Sequence, residues 1–195
     1  MAGQTGNDPL GEAALRAAAL RYLARYAATG DQVARVLHRR ALRYGDGDPA
    51  TVQAVAERAA RIVADLGRIG LLDDAGYAAM KAGSLFRRGA STRQITATLR
   101  EKGVPDALVS QAIAALDAEH GESRERQAAL RYARRRGLGP WSRLRGQSGQ
   151  RDQRRLREIA ALVRAGYPPP LAIWTVDLDR GDAEALLSEG AATDR

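Results

Sequence analysis

The feature that most constrains the fold of this chain is a helical pattern that starts again after about sixty residues. Thr29 and Ser91 each stand three residues before a glutamine, which is the spacing of a helix N-terminal capping box. When the two boxes are aligned, the residues that follow them pair in register: Gln32 with Gln94, Val33 with Ile95, and Leu37 with Leu99. Self-similarity at this spacing predicts a tandem array of helical units.

Apolar residues keep helical spacing along most of the chain, and no segment alternates with period two over the length of a strand. Three helices fill each unit, and Leu162 with the following Gly166 places a third unit in the same register. The sequence therefore predicts an all-α fold, an elongated and curved array of three tandem three-helix repeats. A single compact domain of eight or nine helices is the structural alternative.

The predicted division of the chain follows these restarts. It comprises a disordered N-terminus at 1–11, repeat 1 at 12–70, repeat 2 at 71–120, repeat 3 at 121–176 with a basic loop at 137–151, and an acidic C-terminal tail at 177–195. Repeat 1 has Ala41 where the other two have glycine, so its second helix should end later. The tail is predicted to be solvated and to compete with nucleic acid for basic residues.

Few residues could support catalysis. The chain has no cysteine, and its two histidines, His38 and His120, fall in different predicted repeats without metal-ligand spacing. Asp73 is better explained as a helix N-cap, with Asp74 in the first helical turn, than as half of a carboxylate pair. The sequence predicts no enzyme, no metal site and no cofactor.

The sequence does not suggest export or membrane insertion. The first residues lack the basic and apolar regions of a signal peptide. No apolar run approaches the length that a membrane span requires. We therefore expect a soluble cytoplasmic protein, acting as a monomer.

Positive charge is concentrated in one part of the chain. The formal net charge is +8, and residues 122–157 alone contain twelve Arg and three acidic residues. Biased codon usage could enrich arginine without any functional reason, so the position of the arginines is more informative than their number. The predicted anion-binding surface comprises Arg124, Arg131, Arg134, Arg135, Arg136, Arg143, Arg145, Arg151, Arg154, Arg155 and Arg157, with Arg87 and Arg88 as further candidates. Trp141 in the basic loop is equally compatible with packing and with base stacking.

One segment resembles a known family. Residues 66–78, LGRIGLLDDAGYA, combine a helix end with Gly-Leu-Leu-Asp-Asp and a Tyr-Ala pair, and they resemble the hallmark of the RecX family. Residues 95–104 and the opening helix at 19–25 are also similar to that family. The signature positions, to which we assign a structural role, are Gly70, Leu71, Leu72, Asp73, Asp74, Tyr77 and Gly103.

The resemblance implies a fold and a function. RecX proteins are bacterial regulators of the RecA recombinase, and their fold is three tandem three-helix repeats. Membership would imply binding in the groove of the RecA–DNA filament and inhibition of ATP hydrolysis, strand exchange and co-protease activity. The basic surface would then face single- or double-stranded DNA, without sequence specificity, or acidic RecA residues.

Two other functions remain open at this point. Short helices with tight turns could form a free-standing DNA-binding regulator of the helix-turn-helix type. The helix after Ser91 offers only Arg93 and Gln94 near its N-terminus for reading bases. Alternatively, the arginines could bind an acidic protein partner in a scaffold that never contacts DNA.

Overall fold

A computed structural model describes residues 8–45, 48–142 and 151–193, which form ten α-helices and no strand. The helices are α1 Glu12–Leu23, α2 Gly30–Tyr44, α3 Pro49–Arg68, α4 Asp74–Arg87, α5 Thr92–Glu101, α6 Asp106–His120, α7 Arg124–Arg136, α8 Arg151–Arg164, α9 Pro169–Asp177 and α10 Arg180–Thr193. Short 3-10 helices at Gly121–Ser123 and Gly139–Trp141 flank α7. The prediction of an all-α fold built from helical repeats is confirmed.

The described helices form two compact units. Unit 1 contains the chain up to Tyr77 together with Lys102–Pro105, and unit 2 contains Ala78–Glu101 together with the chain from Asp106 onward. The division into three repeats, with boundaries after residues 70 and 120, stays a prediction. It is compatible with the way in which equivalent residues recur in the two units.

Helix starts are set by the polar residues that the sequence suggested. The Thr29 hydroxyl accepts a hydrogen bond from the Gln32 N–H, and the Gln32 side chain accepts one from the Thr29 N–H, so the predicted capping box is complete. Asp48 caps α3, whose first residue is a proline, and Asp73 accepts from the Gly76 N–H at 2.8 Å. These caps satisfy backbone donors that a helix end would leave unpaired.

The core of unit 1 is made by α1, α2 and α3. Its fully buried side chains include Leu15, Val33, Leu37, Ile62 and Leu66, spaced along the inner faces of the three helices. The second helix of this unit continues to residue 44, whereas the corresponding α5 has only ten residues. The later end expected from Ala41 is thus confirmed.

The N-terminal segment does not match the prediction of disorder throughout 1–11. Leu10 is 6% exposed and belongs to the core of unit 1, and the Pro9 carbonyl accepts a hydrogen bond from Arg40 at 2.7 Å. The Leu10 carbonyl accepts another from Arg58 at 3.0 Å. Residues 8–11 are therefore fixed by a buried leucine and two arginines, while residues 1–7 lie outside the described residues.

A set of contacts in unit 1 joins residues far apart in the sequence. The Thr29 hydroxyl donates to the Lys102 carbonyl at 2.6 Å, and the Gly30 N–H donates to Asp74 at 2.9 Å. Gly103, with φ +75°, lies so close to Asp31 that a Cβ there would overlap the carboxyl group. We call Thr29, Gly30, Asp74, Lys102 and Gly103 the first joint.

The same contacts recur in unit 2, one repeat further along. The Ser91 hydroxyl donates to the Ala165 carbonyl at 2.7 Å, and the Thr92 N–H donates to Glu125 at 3.1 Å. Gly166, with φ +97°, takes the place of Gly103. We call Ser91, Thr92, Glu125, Ala165 and Gly166 the second joint. This recurrence extends the predicted register from single residues to a complete set of hydrogen bonds.

The C-terminal segment also departs from its prediction. Residues 180–193 form α10, in which Ala183 and Leu187 are buried against Leu130 of α7. Trp141 and Trp174 pack against the same cluster. The prediction of a solvated tail is wrong for these residues because small and apolar side chains at helical spacing lie between the acidic ones.

Candidate anion-binding surface

The structure sorts the predicted arginines by exposure. Arg134, Arg135, Arg136, Arg151 and Arg157 are exposed, as are Arg87 and Arg88. Arg131, Arg154 and Arg155 are partly buried, and Arg124 is buried. Arg143 and Arg145 lie outside the described residues. The arginines of the predicted surface thus differ in exposure, and only the exposed ones are available to a partner.

Arg124 must be removed from the predicted surface. Its side chain is 7% exposed, and its Nε lies 2.6 Å from a carboxylate oxygen of Asp117. It also donates to the Thr92 hydroxyl at 2.8 Å and lies 3.5 Å from Glu125. Its charge therefore neutralises carboxylates beside the second joint, which is a structural role.

Arg131 also has an interior neighbour. Its guanidinium carbon lies 4.5 Å from the centre of the Phe86 ring, a cation–π contact. The His120 ring lies 4.4 Å from that same ring, centroid to centroid, and both Phe86 and His120 are buried. Sequence spacing placed Arg131 on one helical face with Arg134 and Arg135, but the start of that face turns toward the interior of unit 2.

Two of the remaining arginines have acidic neighbours from the C-terminal segment. Arg155 forms a two-pronged ion pair with Asp177 at 2.6 and 2.5 Å, and this carboxylate raises the pKa of Arg155. Arg134 lies 4.0 Å from Glu184 of α10, whose carboxylate also accepts a hydrogen bond from the Trp141 indole N–H at 2.8 Å. Trp141 is therefore a packing residue in this structure.

A further group of positively charged side chains lies beside the second joint. A groove of about 580 Å³ there is lined by side chains from α5, α7 and α8. Three of them are the exposed arginines Arg93, Arg136 and Arg164. Sequence reasoning placed only Arg136 in the binding surface. Arg164 was missed, and Arg93 was considered only as a base-reading residue of a helix-turn-helix, because both are isolated arginines outside the dense segment.

A second groove continues this surface along α7. It has a volume of about 540 Å³ and shares Arg136 with the first. Arg134, Arg135 and Arg154 also line it, together with the carboxylate of Glu158. The two grooves therefore form one continuous basic surface of unit 2, comprising Arg93, Arg134, Arg135, Arg136, Arg154 and Arg164, and only the lining of the first groove lacks an acidic side chain.

Several of the signature residues lie in the first joint or at the helix ends around it. Gly70 has φ +73° and ends α3, Leu72 belongs to the core of unit 1, and Asp74 holds the start of α2. Leu71 is 54% exposed, so its predicted structural role is not supported by burial. Tyr77 is half-buried.

Among residues 8–45, 48–142 and 151–193, no group of three acidic or histidine side chains is arranged to hold a metal ion. Within that same part of the chain, no helix combines the length and the apolar character needed to cross a membrane.

Comparison with known proteins identifies relatives. A family model described as "RecX, second three-helix domain" matches residues 73–113. The chain is 45% identical over 166 residues to the "Regulatory protein RecX" of Myxococcus xanthus (strain DK1622), covering 84% of each sequence. It is 29% identical over 194 residues to the protein of that name from Streptomyces coelicolor, covering 98% of this chain and 87% of the relative. No solved structure matches. The chain belongs to the RecX family.

Proposed function

We propose that this protein binds the RecA–DNA filament and negatively modulates the recombinase, ATPase and co-protease activities of RecA. The observation that carries this proposal is the match over 84% of the chain to a relative named as a RecX regulatory protein. The continuous basic surface of unit 2 supports it, because the filament presents DNA phosphates as well as protein. In this proposal the protein is a cytoplasmic monomer that acts by binding.

Electrostatics supplies the physical basis of the interaction. The net charge of +8 favours association with a polyanion, and exposed arginines can donate two parallel hydrogen bonds to one phosphate. Each phosphate contact releases condensed counterions, so affinity should fall steeply as salt rises. Contacts with RecA at the same time would add to the DNA contacts by raising the effective concentration of each site.

A free-standing helix-turn-helix regulator is a weaker proposal. A recognition helix inserts its N-terminal residues into the major groove of DNA. The N-terminus of α5 lies in the second joint, where Ser91 is bonded to the Ala165 carbonyl and a Cβ on Gly166 would lie 3.2 Å from Arg93 Cβ. Because the start of α5 is bonded to the end of α8, and its Arg93 and Gln94 share a groove with α7 and α8, insertion of this helix end into the major groove of DNA is disfavoured.

The rate of ATP hydrolysis by RecA on single-stranded DNA tests the proposal. We expect the purified protein to lower this rate at amounts well below one molecule per RecA subunit. Unchanged hydrolysis at equimolar protein would overturn the proposal. If selective binding to one duplex sequence accompanied that result, it would instead support the helix-turn-helix regulator.

A further inference from the structure

The groove at the second joint differs from the rest of the basic surface in its lining. Its side chains are Arg93, Gln94, Ala97, Tyr132, Arg136, Ala161, Val163 and Arg164, and the backbone of Ala165 and Gly166 completes it. No acidic residue lines it. Among the residues that the structure describes, none of its three guanidinium groups forms a salt bridge. Three guanidinium groups thus line one groove, and no carboxylate of the described residues neutralises them.

The backbone of the joint lies against one of these arginines. Gly166 has φ +97°, a conformation that side-chain-bearing residues rarely adopt. A Cβ at this position would lie 3.2 Å from Cβ and 3.4 Å from Cδ of Arg93. The aliphatic stem of Arg93 therefore lies along the glycine, in space that the side chain of any other residue would occupy.

The first joint provides an internal comparison. The register that pairs Thr29 with Ser91 pairs Asp31 with Arg93, and Asp31 lies against Gly103 as Arg93 lies against Gly166. Asp31 is bound by Arg35 at 2.5 Å, within its own helix. The same backbone arrangement thus carries a compensated acidic residue in one unit and an uncompensated arginine in the other, so the positive charge is not a requirement of the joint.

We propose that the groove formed by Arg93, Arg136 and Arg164 binds the phosphodiester backbone of DNA. The proposal rests on the proposed function in one respect, because the filament supplies the DNA. It assigns the phosphates to the second joint, and it leaves RecA contacts to other surfaces.

The lining of the groove favours phosphate over an acidic protein segment. Protein interfaces depend on large apolar and aromatic anchors at their centre. Here the apolar side chains are small, Ala97, Ala161 and Val163, and Tyr132 is the one aromatic residue among the lining side chains. Several guanidinium groups with little apolar area suit a partner that is bound through charge and hydrogen bonds alone.

The test compares two triple variants with the same change of charge. The groove variant carries Arg93→Gln, Arg136→Gln and Arg164→Gln, and the control carries Arg21→Gln, Arg25→Gln and Arg61→Gln at exposed positions of unit 1. Fluorescence anisotropy with a labelled oligothymidylate, without RecA, gives the affinity of each protein over a series of salt concentrations. Circular dichroism melting checks that both variants are folded.

We expect the groove variant to lose at least about tenfold in affinity, and its plot of log affinity against log salt to become shallower by about 2. The control should retain most of the affinity of the wild type. Equal losses in both variants would overturn the proposal, since net charge alone would then explain binding.

The same variants separate this proposal from the proposed function. If the groove variant kept its affinity for the oligonucleotide but failed to inhibit RecA, the three arginines would contact protein, and the proposal would be wrong. If the wild type bound DNA through the groove but did not inhibit RecA, the proposed function would fail and the phosphate site would stand. A groove variant with unchanged binding and unchanged inhibition would leave the groove without a role.

Discussion

The side-chain hydroxyl of Ser91 donates a hydrogen bond to the backbone carbonyl of Ala165, 2.7 Å away and 74 residues further along the chain. In unit 1, Thr29 makes the same bond to Lys102, 73 residues further. Each hydroxyl also accepts from the N–H of the glutamine three residues later, at 3.2 Å. One small side chain therefore starts a helix and fastens it to a distant helix end.

Replacing Ser91 with alanine should lower the free energy of unfolding of unit 2 by about 2 kcal/mol, because the cap and the long-range bond are lost together. Trp141 and Trp174, the two tryptophans of the chain, both lie in unit 2. Urea unfolding followed by their fluorescence therefore measures this unit. Ser91→Thr retains the hydroxyl found at Thr29 and should recover part of the loss.

Ser110→Ala is the matched control for that substitution, because Ser110 is exposed on α6. Its effect should be within about 0.5 kcal/mol of zero. Equal effects at positions 91 and 110 would show that the joint contributes no stability of its own.

Substitutions of Arg124 and Arg136 should affect different properties, the free energy of unfolding in the first case and DNA affinity in the second. Arg124→Gln breaks the contacts with Asp117 and Thr92, so it should cost about 1 to 3 kcal/mol of unfolding free energy. DNA affinity below the melting temperature should change little. Arg136→Gln should reverse this pattern, with near-normal urea unfolding and weaker DNA binding by anisotropy. Weaker DNA binding by folded Arg124→Gln would contradict the structural role assigned to it.

The Tyr167 hydroxyl should make unit 2 sensitive to alkaline pH. It donates to the Gly89 carbonyl at 2.9 Å, and burial raises its pKa above the ordinary tyrosine value. The neutral form is thus favoured in the folded state, and the resulting stability is complete below about pH 10 and is lost as pH rises further. Tyr167→Phe should cost about 1 kcal/mol at neutral pH and reduce the alkaline loss.

Urea unfolding of this variant at about pH 8 and about pH 11 checks both effects. Tyr26→Phe is the control, because Tyr26 is 57% exposed. If both variants kept the alkaline loss of the wild type, the source of pH sensitivity would lie elsewhere.

Helix α10 should stabilise unit 2 through Leu187. This side chain is 8% exposed against Leu130, so Leu187→Ala should cost about 2 to 3 kcal/mol. Leu156→Ala, at a position 61% exposed on α8, should change the free energy of unfolding by less than about 1 kcal/mol. A Leu187→Ala variant as stable as the wild type would show that the C-terminal helix does not stabilise the fold.

Local patterns in the sequence were sufficient for much of the fold. Thr29, Asp73 and Ser91 act on backbone atoms within three residues, so their positions could be predicted from neighbouring residues. The repeat register was also visible, because the two boxes carry matching apolar residues. The register could not show the two joints, because Asp74 and Glu125 contact residues that lie 44 and 33 positions earlier in the chain.

The candidate site was harder to predict for a related reason. Counting charge selects residues that are dense in the sequence, and it therefore included Arg124 and Arg131, which contact Asp117 and Phe86 in the folded unit. It omitted Arg93 and Arg164, which stand alone in the sequence but line the same groove. Whether an arginine is exposed, and whether it lies near other arginines, depends on tertiary packing, which cannot be predicted from local composition.

Local composition also led to a wrong prediction for the segment that forms α10. Its acidic residues suggested a solvated tail, yet Ala183 and Leu187 recur at the spacing of one helical face and are buried. Few apolar residues are needed when neighbouring helices already offer an apolar patch, here Leu130 of α7 with Trp174 of α9.

We propose that the basic surface of unit 2 lets this RecX-family protein inhibit RecA on DNA. The most direct test is the rate of ATP hydrolysis by RecA on single-stranded DNA, titrated with the wild type, the groove variant and the unit 1 control variant. We expect the wild type and the control to inhibit at substoichiometric amounts and the groove variant to require much higher concentrations. Undiminished hydrolysis with equimolar wild-type protein would contradict the account.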